Sequence, residues 1–360
     1  MLTHKTHELL QRLEQIKPFF TKIRSISISD YVRVAATNIS YYNLDAICIA
    51  PLNGNGQGIF MIPFALLREY LQKTTHDEII FDEMAGHPTF GSIHTKFILE
   101  KHFSPDNFPI VPIYDFNVSG SATPDQLRHA FSCYYATDKD DSRNNLRGVY
   151  LDPENKCAVA SNGHRLSLRT LEFPLHTTNK YVIPRSVAKT LATSIHNTVA
   201  FSTSDSSNEW LMLSTDGMTI YVKCEDSYPD YQRVIPKEGS LKLYFEEPRL
   251  TLKRLRDIKK TFPKLQAIAL RGYRGELQVA NESYKTTWQY DCEAYEDCLL
   301  LININYLMDC FKQYTQPINV YNLDEKTGPW VFKIDDSRDL DIIMPIKYTD
   351  EESWFTNNQT

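Results

Sequence analysis

The chain has 360 residues, 42% of them hydrophobic, which suits two or three domains with buried cores and excludes a disordered chain. Its net charge of -6 argues against a uniformly basic nucleic-acid-binding surface. No apolar run approaches the ~18 residues that a membrane span needs. The opening MLTHKTHELLQRLEQIK carries charge throughout and has no apolar signal-peptide core.

A cytoplasmic protein with no membrane partner is the expectation. The seven cysteines (Cys48, Cys133, Cys157, Cys224, Cys292, Cys298 and Cys310) are scattered, odd in number and form no CxxC pair. They read as single buried thiols, not as a disulfide framework or a zinc site. No metal and no cofactor are expected.

The first element is an amphipathic helix over 8–17, within HELLQRLEQIKPFF. The run YVRVAATNISYY alternates with period two and predicts half-buried antiparallel strands. GIFMIPFALLREYLQK then gives a short β-rich run and a helix over 64–73, with Pro63 just inside its start. HFSPDNFPIVP closes this stretch.

A second helix-strand series starts at Thr123. Thr123 predicts an N-cap for a helix over 124–135, Pro124 suits the first helical position, and Gln126 completes a capping box. Strands follow in CAVASNGHRLSL. KYVIPRSVAKTLATSI predicts a helix over 185–195, with Pro184 at its start, and DSYPDYQRVIP closes the series.

The third series opens with PRLTLKRLRDIKKTF. Here Leu252, Leu255, Ile258 and Phe262 form one apolar stripe of a helix over 249–260. ELQVANESYKTTWQY predicts strands. LLLININYLMDCFKQY predicts a helix over 305–313 with Asn303 at its start, and DLDIIMPIKY ends the series.

The same unit is thus written three times. The expected fold class is α+β: three similar domains, each of two helices packed on antiparallel sheet, over 1–115, 116–238 and 239–348. Residues 349–360 form a polar C-terminal tail.

The charge is segregated. The six predicted helices hold 14 Lys and Arg against 6 Asp and Glu, a net +8 that leaves -14 for the rest of the chain. Lys253, Arg254, Arg256, Lys259 and Lys260 are the densest part. Helix faces turned one way would present a basic surface on an acidic body, suited to non-specific phosphate contact.

RNNLRGVYLD, VASNGHRLSL, SYPDYQRVIPK and the late IIMPIKY resemble the β subunit of bacterial DNA polymerase III, the β sliding clamp family. The first series adds its helices and TKFILEKHFSPDNFP, so the resemblance spans about residues 7–348. It implies the DNA clamp fold and a ring-shaped head-to-tail homodimer with helices lining the hole. It also implies a non-catalytic processivity factor in DNA replication. Such a factor encircles duplex DNA and tethers DNA polymerase, the clamp loader and other proteins carrying a clamp-binding motif.

The peptide-binding pocket implied by the resemblance falls on Arg143, Leu146, Ser161, Gly163, His164, Arg165, Leu166, Pro229, Arg233, Val234, Asn303, Tyr306, Ile342, Met344, Pro345 and Ile346. Aliphatic walls there would bury an apolar anchor while polar groups fix a peptide backbone. Phe97 and Leu99, with Thr261 and Phe262, are the implied dimer contacts. Asn144 and Asn145 join the five basic residues as DNA-facing candidates, at a place where the family often carries aromatics.

Other departures concern the first series. Its first loop is shortened to KPFFTKIRSISISD, where Lys22 or Arg24 stands in for a usual basic residue. The stretch after Phe262 is short as well. The chain also continues past Tyr348 to Trp354 and Phe355, an aromatic pair on a tail tethered beside the implied pocket.

Two other readings compete. A specialised clamp paralogue would keep the fold with altered DNA or partner binding. A metal-dependent nucleic-acid enzyme would need a site. DKDDSR at 138–143 lacks EF-hand spacing, and no nucleophile elbow, P-loop or HExxH motif is present.

Overall fold

The computed structural model describes residues 1–20, 27–138, 144–204, 206–225, 227–237, 239–273, 276–281, 284–288, 292–322 and 328–346. Six α-helices appear among them: α1 (Thr6–Ile16), α2 (Phe64–Lys73), α3 (Pro124–Phe131), α4 (Arg185–Thr193), α5 (Pro248–Thr261) and α6 (Ile304–Phe311). They pack in sequential pairs, α1 on α2, α3 on α4 and α5 on α6.

Local chemistry sets the helix starts. Thr123 and Gln126 form the expected capping box, with Thr123 N–H donating to Gln126 Oε1 (2.9 Å) and Gln126 N–H donating to Thr123 Oγ1 (3.4 Å). The Asn303 side chain accepts from the N–H groups of Asn305 and Tyr306 and caps α6. Pro63 and Pro184 lie one residue outside their helices, as extended N-cap residues with ψ of 123° and 144°. Proline's fixed φ serves the end of a strand as well as the start of a helix. The predicted helix over 124–135 is shorter than expected, because from Ser132 to Ala136 the chain tightens into a 3-10 helix.

The strands form three-stranded antiparallel meanders, two in each repeat. The first repeat has Tyr31–Ala35, Asn38–Tyr42 and Ala46–Pro51, then Glu78–Met84, His87–Gly91 and Lys96–Ile98. The second has Gly148–Asp152, Cys157–Ser161 and Arg165–Thr170, then Val199–Ser204, Ser207–Thr215 and Met218–Lys223. The third has Ala267–Tyr273, Glu276–Asn281 and Tyr284–Trp288, then Ile318–Asn322, Trp330–Lys333 and Leu340–Ile343.

By its contacts the chain divides into two compact units. One comprises residues 1–131, 151–155 and 171–226; the other comprises 132–150, 156–170 and 227–360. The cut runs through the middle repeat because in each unit a continuous sheet crosses a repeat boundary. In the first unit, strand 218–223 pairs with strand 46–51, Ile220 opposite Cys48 and Val222 opposite Ala46. In the second, strand 165–170 pairs with strand 340–343, Arg165 opposite Ile343 and Ser167 opposite Asp341.

Alternation along that second pair sorts side chains by face. Leu166, Leu168 and Ile342 join a small core with Cys157, Val159, Tyr231 and Val331. Arg165, Arg169 and Asp341 belong to the opposite face, where the ion pair is almost fully buried: Arg169 Nη2 lies 2.7 Å from Asp341 Oδ2, with side chains 4% and 1% exposed.

The pair is fully furnished with hydrogen bonds. Tyr135 Oη donates to Asp341 Oδ1 (2.5 Å), and Arg169 also donates to the Leu168 and Leu340 carbonyls and to Ser132 Oγ. Such a group tolerates burial only while every member has its partner. Asp341→Ala, which strands Arg169, should lower stability by roughly 3–5 kcal/mol in urea denaturation. Tyr135→Phe, which removes one hydrogen bond, should cost about 1–2 kcal/mol in the same assay.

Candidate functional site

In the second unit, the turn between strands 157–161 and 165–170 organises the candidate surface. Asn162 Oδ1 accepts from the N–H groups of His164 and Arg165 (3.1 Å each), and Gly163 takes φ = 83°, which a side chain would resist. Ser161 Oγ donates to the Arg165 carbonyl (2.8 Å) and accepts from Gly163 N–H (3.1 Å). His164 is left exposed at the tip.

The C-terminal strand is fastened to this turn. Met344 N–H donates to the His164 carbonyl (2.9 Å), and two residues on Ile346 N–H donates to the Leu301 carbonyl (2.8 Å). Met344 remains 36% exposed, while Pro345 and Ile346 are half-buried. From α6, the Tyr306 hydroxyl accepts from Asn162 Nδ2 (3.3 Å). Ser161, Gly163, His164, Asn303, Tyr306, Met344, Pro345 and Ile346 are therefore held in one hydrogen-bonded group.

The 3-10 turn Tyr231–Val234 is seated on the small core by Tyr231, whose hydroxyl lies 3.3 Å from Cys157 Sγ. This leaves Val234 half exposed and Pro229 exposed. The exposed Arg233 pairs with Asp230 at 3.1 Å. Leu146 is half-buried in the turn Asn144–Leu146, and its carbonyl accepts from Asp138 N–H (2.9 Å). Arg143 lies outside the described residues, as do Lys22, Arg24, residues 139–142 of the acidic run, Tyr348, Trp354 and Phe355.

Three expected pocket residues are not surface groups. Leu166 and Ile342 are 3% and 2% exposed and belong to the core beneath Tyr231. Arg165 is 5% exposed: Nη1 donates to Asp309 Oδ2 (3.0 Å), Nη2 donates to the Tyr135 carbonyl (2.5 Å), and the guanidinium lies 4.4 Å from the Tyr306 ring centroid. The Arg165 guanidinium thus lies behind the Tyr306 ring and is not presented at the surface. Burial pushes the Asp309 carboxyl up, but hydrogen bonds from Lys312 and Arg165, with their charges, outweigh it and hold that group below the usual carboxylate range.

The basic helix also differs from its sequence reading. With observed boundaries, α5 carries six Lys and Arg against one Asp, while the other five helices together carry six against five. The charge surplus is a property of α5, not of three repeats. Lys253, Arg256 and Lys260 are exposed, Lys260 beside Asp257 at 3.5 Å. Arg254 stacks over Trp288 at 5.4 Å, and Lys259 turns back to donate to the Leu265 carbonyl. Asn145 is exposed; of Asn144 the structure describes only its place in the turn 144–146.

Among the implied dimer residues, Phe97 lies on strand 96–98 at the edge of the first unit's five-stranded sheet, stacked on Phe90 at 5.2 Å and 38% exposed. Leu99 is 8% exposed and packs inward, its N–H donating to the Pro88 carbonyl (2.9 Å), so it is no open contact of the chain. Thr261 ends α5, exposed, and the half-buried Phe262 caps it.

Sequence reasoning missed Asn162, Tyr135, Asp309 and Asp341. Asn162 was within reach: Asn43, Asn162 and Asn281 recur at a constant spacing of 119 residues. The other three matter only through distant partners, which no local pattern reveals. Among the described residues no cluster of three or more His, Cys, Asp or Glu could hold a metal ion, and no helix is long and apolar enough to cross a membrane.

No family model matches the chain, and no curated protein matches it. Solved structures do. A putative DNA polymerase III β subunit from Eubacterium rectale is 16% identical with a TM-score of 0.82, covering 96% of this chain and 99% of that one. The DNA polymerase III subunit β from Pseudomonas aeruginosa is 18% identical with a TM-score of 0.81, covering 96% and 100%. A DnaN sliding clamp from Bartonella birtlesii, bound to griselimycin, is 20% identical with a TM-score of 0.81, covering 96% and 99%. Over nearly its whole length, the chain therefore has the fold of the bacterial DNA polymerase III β subunit.

Proposed function

We propose that the chain is a DNA sliding clamp: two copies join head to tail, encircle duplex DNA and tether a DNA polymerase, a clamp loader and other motif-bearing proteins without performing chemistry. On this reading each chain supplies three clamp domains, near 1–115, 116–238 and 239–348. The observation that carries the proposal is the state of the six outer strands.

Each meander ends in an outer strand. Four of the six are joined in pairs within the chain, 218–223 with 46–51 and 340–343 with 165–170. In both pairs the second meander of one repeat joins the first meander of the repeat before it. Strands 96–98 and 284–288 are the two left as sheet edges. Applied once more, the same rule joins strand 96–98 of one copy to strand 284–288 of another. Two such joints use every outer strand and close the assembly.

The helices support the same joint. At the first internal junction, Thr190 of α4 donates to the carbonyl of Pro18, just after α1 (2.8 Å). At the second, Asp309 of α6 meets Arg165, which holds the Tyr135 carbonyl just after α3. The residues of α2 at the same place are Leu66, 38% exposed, and the exposed Glu69. A second copy would set Thr261 and Phe262, at the end of α5, against them. Ile98 and Ile93, 51% and 74% exposed, would be covered too.

Duplex DNA needs no sequence reader in this arrangement. Encirclement gives retention, and exposed cations on α5 give weak, salt-screened phosphate contact that allows sliding. The hydrogen-bonded surface around Tyr306 and Met344, with the exposed Val234 on the Tyr231–Val234 turn of the same unit, offers apolar side chains, which suits a short peptide with an apolar anchor.

Loading onto closed circular duplex DNA by a clamp loader, with release on linearisation, tests the function directly. Retention on the circle alone is expected; equal retention on both forms would sink the encirclement reading. Ile98→Asp should shift the sedimenting species from dimer to monomer and abolish retention on circles. The triple change Lys253→Gln, Arg256→Gln and Lys260→Gln should leave the dimer intact. It should flatten the log–log salt dependence of DNA affinity by about 2–3 in slope, read by fluorescence anisotropy over a salt series.

A further inference from the structure

We propose that this chain's own C-terminal segment, through Trp354 and Phe355, is a resident occupant of the peptide surface around Val234, Tyr306 and Met344. The proposal rests on the reading of that surface as a peptide site. It adds that an incoming partner must displace a tethered competitor.

Three observations point there. First, the main chain is led onto the surface: Met344 is bonded to the tip of the Asn162 turn and Ile346, the last described residue, to Leu301. Second, fourteen residues follow Ile346, and Trp354 is the eighth of them. Eight residues span at most about 29 Å when extended, which covers a surface beginning at Ile346 and falls short of remote places.

Third, the chemistries are complementary. The surface exposes Val234 at 50% and Met344 at 36%, with the half-buried Tyr306 ring fixed from behind by Arg165 and at its hydroxyl by Asn162. The tail brings two adjacent aromatic rings, preceded by Asp350, Glu351 and Glu352. Exposed Lys237, and Arg233 with its Asp230 partner at 3.1 Å, lie on either side of Val234 along the chain. A rigid aromatic pair loses little rotamer freedom when buried, and the preceding carboxylates suit the basic flank.

Tethering sets the scale. A segment held by a short linker acts at an effective concentration near the millimolar range, so even weak docking keeps the surface largely filled. A partner with the same intrinsic affinity in free solution would then bind more weakly than to an open surface.

The test uses full-length chains and a labelled peptide of residues 347–360, read by fluorescence polarisation. Compared with the unaltered chain, the variant Trp354→Ala with Phe355→Ala should bind the peptide roughly tenfold more tightly, because its own tail no longer competes. Adding Val234→Asp, an exposed change, should remove that binding. Equal affinity of the unaltered and tail-altered chains would overturn the proposal, and so would failure of the peptide to bind either one. The clamp reading is scored separately: both chains should be retained on circular DNA, and loss of retention in both would overturn that reading instead.

Discussion

Backbone pairing between the outer strands is the constraint on which the rest depends. A meander ends in a strand with a row of unspent N–H and C=O groups, and leaving that row open invites pairing with another chain. At two junctions the chain spends these groups on itself. Each joint welds the second meander of one repeat to the first meander of the repeat before it, which is why the compact units ignore the repeat boundaries. The two edges left over are complementary in the same sense, one from the first repeat and one from the third. An open assembly of such chains would always keep exposed edges, whereas two chains closed on each other keep none of this kind.

The second junction shows what such a weld requires inside. Its helix-facing side carries Arg165, Arg169 and Asp341, an unusual load for a place so well shielded. Each charge is matched, Arg169 by Asp341 and Arg165 by Asp309, and carbonyls and a hydroxyl take further donors, while the buried Arg165 Nε has no hydrogen-bond partner among the described residues. Buried pairs of this sort add little net stability, but removing one partner is costly because it leaves the other charge buried and uncompensated. The same side chains reach the surface indirectly, since Arg165 supports the Tyr306 ring. The surface proposed for peptide binding and the structural joint thus share one set of interactions.

Much of the architecture was legible in the sequence because it is periodic. Helical spacing located all six helices, α2 to the residue, and the capping box at Thr123 formed as written. Strings resembling the β clamp family marked the turn 162–165 and the segment 342–346. What the sequence could not show was depth. Leu99, Leu166 and Ile342 were read as contact residues and are interior, since one strand serves both core and surface and alternation does not say which face is covered. Arg165 differs for a related reason: the resemblance implies a pocket residue there, whereas Tyr135 and Asp309, 30 and 144 residues away, enclose its guanidinium. The charge reading erred in distribution. Predicted helix ends borrowed Lys17 and Lys312, and the surplus credited to three repeats belongs to α5.

Comparison of the two internal junctions explains why only the second offers an apolar surface. Their backbones are nearly the same. Asn43 Oδ1 accepts from Asp45 and Ala46 N–H as Asn162 Oδ1 accepts from His164 and Arg165, and Lys223 N–H reaches the Asp45 carbonyl at the same 2.9 Å as Met344 N–H reaches that of His164. Leu44 even takes the left-handed conformation that Gly163 takes, at φ = 74°. The side chains differ. In the first junction the Asp45 carboxylate accepts from Ser186 Oγ on α4, and the strand continues with a lysine. In the second the tip residue is an exposed histidine, and the strand continues with Met344, Pro345 and Ile346. A repeated scaffold thus closes one junction with a polar clasp and opens the other with flexible and aliphatic groups. The glycine has its own consequence here. Leu44 carries a side chain, 40% exposed, in the left-handed conformation, whereas Gly163 carries none, which favours close approach of another backbone at that position.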